Sequence, residues 1–226
     1  MSEASYAVIP GGGGTGLIWG DLAAELPAVV LRAPDELTIE AMAAGLEPAI
    51  AELRRPRVLV GASMGALVAL EVARRVEIDG LALIACGWGI EVSDSVIAWM
   101  ESNPPDIHQK LSRICLADRR DETKIAALVA DYDAGGHERH VRQVKAMRAY
   151  APEPLSDPPP TIVIGGMQDS AVPMEDHVEL ALRCRGAVAP VAGAAHVPFL
   201  EQPEATLRWI RAAARLGASA GSQSTA

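Results

Sequence analysis

Six short, almost wholly apolar runs, at residues 6–9, 28–31, 58–60, 81–85, 161–164 and 187–191, recur along the chain with helical patterns between them. Those patterns fall at 19–26, 38–53, 64–75, 177–184 and 203–216. A strand that is apolar throughout must be covered on both faces, and strands separated by helices run parallel. The alternation therefore predicts a doubly wound, mostly parallel α/β sheet of about six strands. At 226 residues, 50% of them hydrophobic, the chain is long enough to bury one core.

The spacing breaks once. Residues 86–160 separate the fourth and fifth runs, where one crossover helix would serve. Residues 90–153 are more charged, largely helical in pattern, and end at the rigid stretch APEPLSDPPP, so they predict a small helical lid inserted after the strand at 81–85. The core then comprises residues 1–89 and 154–216. Residues 217–226 lack apolar bulk and are expected to form a disordered tail.

Composition removes several classes of partner. A formal charge of −9 and a pI near 5.0 argue against nucleic acid and favour a small ligand. No Lys or Arg precedes Arg32, and glycines interrupt any apolar leader, so a secretory signal is not expected and a cytoplasmic location is. The uncharged run at 80–90 falls well short of the roughly 20 residues that span a bilayer, and no membrane contact is expected. Cys86, Cys115 and Cys184 are odd in number and widely spaced, which suggests reduced thiols rather than a disulfide framework or a zinc site.

The glycine loop AVIPGGGGTGLIWG, residues 7–20, reads as a strand, a turn and a helix start. Gly11, Gly13 and Gly16 fit G-x-G-x-x-G, and Asp35, about twenty residues on, is placed for a ribose hydroxyl; alone, this would suggest an NAD-dependent oxidoreductase. A phosphate-binding P-loop is excluded, because Leu17 and Ile18 stand where Lys and Ser/Thr are required.

A second motif competes with that reading. In RVLVGASMGALVALEVA, Gly61-Ala62-Ser63-Met64-Gly65 places G-x-S-x-G between an apolar strand and a helix, the context of a nucleophile elbow. A serine hydroxyl needs a base to take its proton, and the base needs a carboxylate to fix its tautomer. His196 in VAGAAHVPFLEQPE and Asp169 in TIVIGGMQDSAVP each follow the carboxyl end of a different strand; Asp94 is an alternative acid. The NAD reading leaves Ser63, Asp169 and His196 unexplained.

With Ser, Asp and His in that order, the sequence resembles the α/β-hydrolase superfamily over almost its full length. Its small lid-bearing esterases, lactonases and ring-cleavage-product hydrolases are the nearest in kind. The G-x-x-D loop at 166–169 and the H-x-P-x-x-E-x-P segment at 196–203 are similar to that family's acid and histidine regions. Its first strand commonly ends in His-Gly-x-Gly with a Trp nine residues after the His. Here Pro10 stands in place of the His that normally braces the loop, Gly11 and Gly12 follow it, and Trp19 lies nine residues after it. The resemblance implies that Gly12 and Met64 supply the oxyanion-hole N–H groups. It also implies a serine hydrolase acting, without cofactor, on a small to medium carboxylic ester, thioester or lactone, or on a vinylogous C–C bond. A non-hydrolytic binding protein on the same fold stays open on sequence.

Other residues carry weaker signals. Trp88 and Ile90 leave the fourth strand toward the lid, where they line an acyl pocket or pack the hinge. His137 and His140 with Asp131 and Asp133 raise a metal site, yet the EF-hand pattern fails at Gly135 and Arg142, and no metal is expected. In HERHVRQVKAMRAY the helical period sets Val141, Val144 and Met147 on one side, with Arg139, Arg142, Lys145 and Arg148 around the remainder. That is an ordinary amphipathic helix, or a lid that receives an acidic substrate or carrier.

Overall fold

The computed structural model describes residues 3–223. Strands β1 (Ser5–Ile9) and β2 (Ala28–Val30) are joined by a 3-10 turn, Leu17–Trp19, and helix α1 (Gly20–Ala24). Helix α2 (Ile39–Ala51) leads to β3 (Arg57–Ala62), and α3 (Met64–Val72) leads to β4 (Gly80–Ile84). Four helices follow, α4 (Asp94–Glu101), α5 (Ile107–Ile114), α6 (Glu122–Gly135) and α7 (His137–Ala149), before β5 (Thr161–Gly166). The chain ends with α8 (Met174–Arg183), β6 (Ala187–Val191), α9 (Pro198–Glu201) and α10 (Pro203–Gln223).

The strands form one sheet in the order β2-β1-β3-β4-β5-β6, and every pairing is parallel. Alternation along each strand divides the core into two layers. Ile9, Leu59, Leu83 and Val163 share one layer with residues of α2, α3 and α8, while Val8, Val60, Ile84 and Ile164 share the other with α1 and α10. The chain leaves β1 toward one side for β2 and returns on the other for β3. That reversal opens a crevice at the carboxyl ends of the strands, where such sheets bind ligands.

The end of the chain differs from its sequence reading. Helix α10 continues past residue 216 to Gln223, and residues 224–226 lie outside the described residues. Gly217 serves contact there, since a Cβ at this position would overlap the carbonyl of Asp79, just ahead of β4. Among the described residues no helix is long and apolar enough to cross a membrane.

Docking of the last helix is testable. A Gly217→Val variant forces overlap worth about 1–3 kcal/mol, which for a chain of this size lowers Tm by roughly 3–10 °C. An unchanged melting curve, followed by circular dichroism, would contradict the contact.

Candidate active site

Strand β3 runs into α3 with one residue between them, and that residue, Ser63, takes φ 50° and ψ −120°. Such a conformation costs an L-residue on the order of 1–3 kcal/mol. Two glycines make room for it. A Cβ at Gly61 would overlap the Gly65 carbonyl, and one at Gly65 would overlap the carbonyls of Ile9 and Pro10. The start of α3 therefore rests on the end of β1, which sets the glycine loop beside the serine; a Cβ on Gly11 would stand 3.4 Å from that of Ser63.

Asp169 and His196 arrive from the neighbouring strand ends. Gly166 closes β5 against the carbonyls of Ala194 and Ala195 with no space for a side chain, and Gln168 N–H donates to Ala194 O at 2.9 Å. His196 Nδ1–H donates to Asp169 Oδ2 at 2.8 Å, while Asp169 Oδ1 accepts from the N–H groups of Ala171 (2.8 Å) and Val172 (3.1 Å). Burial alone would raise the Asp169 pKa. The hydrogen bond and charge of His196, with those two backbone donors, outweigh it and hold the carboxyl below the usual carboxylate range. With Nδ1 committed, Nε2 is the ring nitrogen left to accept a proton. Asp94, the alternative acid, lies in the first turn of α4 with its side chain 90% exposed and paired with Arg148.

Ser63, His196 and Gly12 line a single cavity of about 520 Å³. Its walls are mostly apolar. Trp19 stacks on Phe199 with ring centroids 3.8 Å apart, Trp99 and Leu111 contribute from α4 and α5, and Val144 and Met147 from α7. Ile90 also lines it. Trp88 does not: it borders an adjoining groove, with the Arg183 guanidinium 5.0 Å from its ring. The tight turn marked by the Gly87–Gly89 bridge, with Gly89 at φ 89°, redirects the chain between the two residues.

The glycine loop is already engaged by protein. Thr15, Gly16 and Leu17 donate their N–H groups to Asp131 Oδ1 at 2.8, 3.1 and 3.1 Å, and Thr15 Oγ1–H adds a fourth bond at 2.6 Å. A cofactor pyrophosphate would have to displace this buried carboxylate, so the loop lacks the free donors that the dinucleotide fingerprint requires. Asp35, assigned to a ribose in that reading, is instead exposed and bonded to Arg142. Gly12 N–H donates to no protein acceptor among the described residues, and Met64 stands at the first position of α3, where helical N–H groups lack partners.

The remaining sequence candidates are dispersed. Asp133 accepts from His108 Nδ1 at 2.6 Å, and His137 Nε2 meets Met100 O at 2.8 Å. Among the described residues no three His, Cys, Asp or Glu converge as metal ligands. Of the basic residues on α7, Arg139 is buried on the carbonyls of Gly14 and Ala33, Arg142 pairs with Asp35, Lys145 with Glu101 and Arg148 with Asp94. An anion at this face would compete with a protein carboxylate for each exposed cation. The three thiols are free and buried, and burial pushes Cys115 and Cys184 up to about 11, so neither forms a nucleophilic thiolate at neutral pH.

Glu201, the Glu of the H-x-P-x-x-E-x-P segment, has a role that its motif alone did not reveal. Its two oxygens accept from Ala195 N and Ala117 N, each at 2.7 Å, and His196 N–H donates to Cys115 O at 3.0 Å. Together these bonds tie the histidine loop to the segment after α5.

The chain belongs to the alpha/beta hydrolase family, whose model matches residues 8–209. Its fold is shared with the enol-lactonase from Burkholderia xenovorans LB400, at TM-score 0.80 and 19% identity over 94% of this chain and 91% of that one. An esterase from Exiguobacterium antarcticum follows at TM-score 0.78 and 16% identity, covering 95% and 93%. A thermophilic esterase from Thermogutta terrifontis gives 0.76 and 21%, covering 96% and 91%. No curated protein matches the chain.

The tie through Glu201 predicts a stability effect. Glu201→Leu strands two backbone donors, each worth about 1–3 kcal/mol, so unfolding in urea should shift by at least 2 kcal/mol, with Glu201→Gln losing less. Equal midpoints for the Leu variant and wild type would show that the carboxylate carries no load.

Proposed function

We propose that this protein is a serine hydrolase of small to medium carboxylic esters, thioesters or lactones that works through an acyl-enzyme. The observation that carries the reading is the Asp169–His196 hydrogen bond at a cavity which also holds Ser63 on a strained elbow. His196 Nε2 takes the hydroxyl proton as Ser63 Oγ attacks the carbonyl carbon, and Asp169 stabilises the imidazolium that results. The N–H groups of Gly12 and Met64 receive the developing oxyanion. His196 returns its proton to the leaving oxygen or sulfur; water, deprotonated by the same imidazole, then releases the acid. An apolar cavity roofed by α4 to α7 suits an acyl chain, which is the sense in which the insertion is a lid. The esterases and the lactonase that share the fold are in keeping with this chemistry.

A fluorophosphonate should label the protein once, at Ser63, and Ser63→Ala should abolish both labelling and ester turnover while the circular dichroism spectrum is retained. Labelling that survives the substitution would contradict the assignment. Asp169→Asn should lower kcat by roughly 10³–10⁴-fold, and Asp94→Asn by less than about twofold; the reverse ranking would move the acid to α4.

His140 also lines the cavity, and burial, reinforced by His108, His137 and Arg139, holds its pKa down to about 3, so it stays neutral near pH 7.

A further inference from the structure

The glycine loop needs a brace, because its position decides whether Gly12 N–H meets an oxyanion. Pro10 has no polar side-chain atom with which to supply one. The donors along the loop show where the brace comes from. Gly13 N–H donates to Gln143 Oε1 at 2.8 Å, Gly14 N–H to Gly11 O at 3.2 Å, and the next three N–H groups to Asp131. Every N–H from Gly13 to Leu17 is thus committed, four of the five to the helical insertion, and that of Gly12 is left over.

Asp131 and Gly135 lie one turn apart on α6, and Arg139 and Gln143 one turn apart on α7, the two helices meeting at Gly136. A Cβ at Gly135 would overlap the carbonyl of Gly13, Arg139 reaches Gly14 O and Ala33 O, and Gln143 and Asp131 are 0% and 1% exposed. A buried carboxylate taking four donors on one oxygen is a strong and directional anchor.

We propose that Asp131, seconded by Gln143, is a positioning residue for catalysis: it fixes the glycine loop from the helical insertion, so that Gly12 N–H is aimed at the oxyanion without a histidine at position 10. The inference rests on the hydrolase reading above, and it makes α6 and α7 a fixed part of the site rather than a flap. Lifting these two helices would break every bond of the brace and strand a buried Asp, Arg and Gln. Substrate therefore enters past α4 and α5, where Val96 and Ile114 border the cavity and are 39% and 42% exposed.

The test compares Asp131→Leu, which keeps the side chain's size and removes every acceptor, with Asp131→Asn, which keeps one acceptor oxygen. For Asp131→Leu we expect kcat for a short-chain p-nitrophenyl ester to fall by about 10²–10³-fold with KM changed less than about threefold, as loss of an oxyanion donor does. Asp131→Asn should recover at least a tenth of the wild-type rate. A substrate-like trifluoromethyl ketone, whose serine adduct carries an oxyanion, should lose affinity in step with kcat, whereas the corresponding alcohol should not. If Asp131→Leu yields no folded protein, Gln143→Met, which removes only the acceptor of Gly13 N–H, takes its place with an expected fall of about tenfold. Wild-type turnover that vanishes in Ser63→Ala establishes the parent reading. Given that, a brace variant with kcat within threefold of wild type, or equal losses for ketone and alcohol, overturns this inference alone. No turnover in the wild type overturns both.

Discussion

Ser63 can hold its strained backbone only because α3 starts in direct contact with the end of β1, and the rest of the site follows from that contact. Gly65 has no side chain, so the carbonyls of Ile9 and Pro10 come up against its backbone. The same approach leaves the glycine loop at the serine's side rather than over a separate cofactor cleft. Strain of about 1–3 kcal/mol at one residue is small against the apolar layers that clamp both elements, in which Ile9, Leu59 and Leu67 are 0% exposed.

Around that fixed point the molecule assembles its polar groups from distant parts of the chain. Asp169 and His196 come from successive strand ends held together at Gly166, while Glu201 and the Cys115 carbonyl anchor the histidine loop to the insertion. Asp131 and Gln143 anchor the glycine loop to the other half of the insertion. The helices between β4 and β5 therefore grip the site on two sides and supply much of its apolar wall.

Much of this was legible in sequence, for identifiable reasons. The strand run at 6–9 could be read because a parallel strand buried on both faces leaves a continuous apolar run, and β1 matches it to within a residue; β6, an edge strand exposed at Ala187 and Pro190, matches 187–191 because its residues are apolar even where they face solvent. The elbow was legible because its glycines are required locally, within five residues. Asp169 and His196 were found by their place after strands, which the fold brings together. Asp131 carried no such signal: its partners are more than a hundred residues away, and it drew notice only as one of a set of metal candidates whose pattern failed. Of the two readings open for Trp88, the structure does not give the acyl pocket, because the turn at Gly87–Gly89 redirects the chain within one residue and leaves Trp88 on the adjoining groove. Residues 217–223 read as a tail because small residues lack hydrophobic drive, yet Gly217 makes a backbone contact that needs smallness. The basic residues of α7 likewise gave no hint of the carboxylates that pair with them across the fold.

The central claim is that a base-activated Ser63 becomes acylated. Rapid mixing with an excess of a p-nitrophenyl ester whose acyl group is released slowly should give a burst of one p-nitrophenol per chain. Intact-mass analysis of the quenched protein should find one acyl group, on the peptide that contains Ser63, and none in Ser63→Ala. A linear time course with no adduct, or an acyl group on any other residue, would contradict the account.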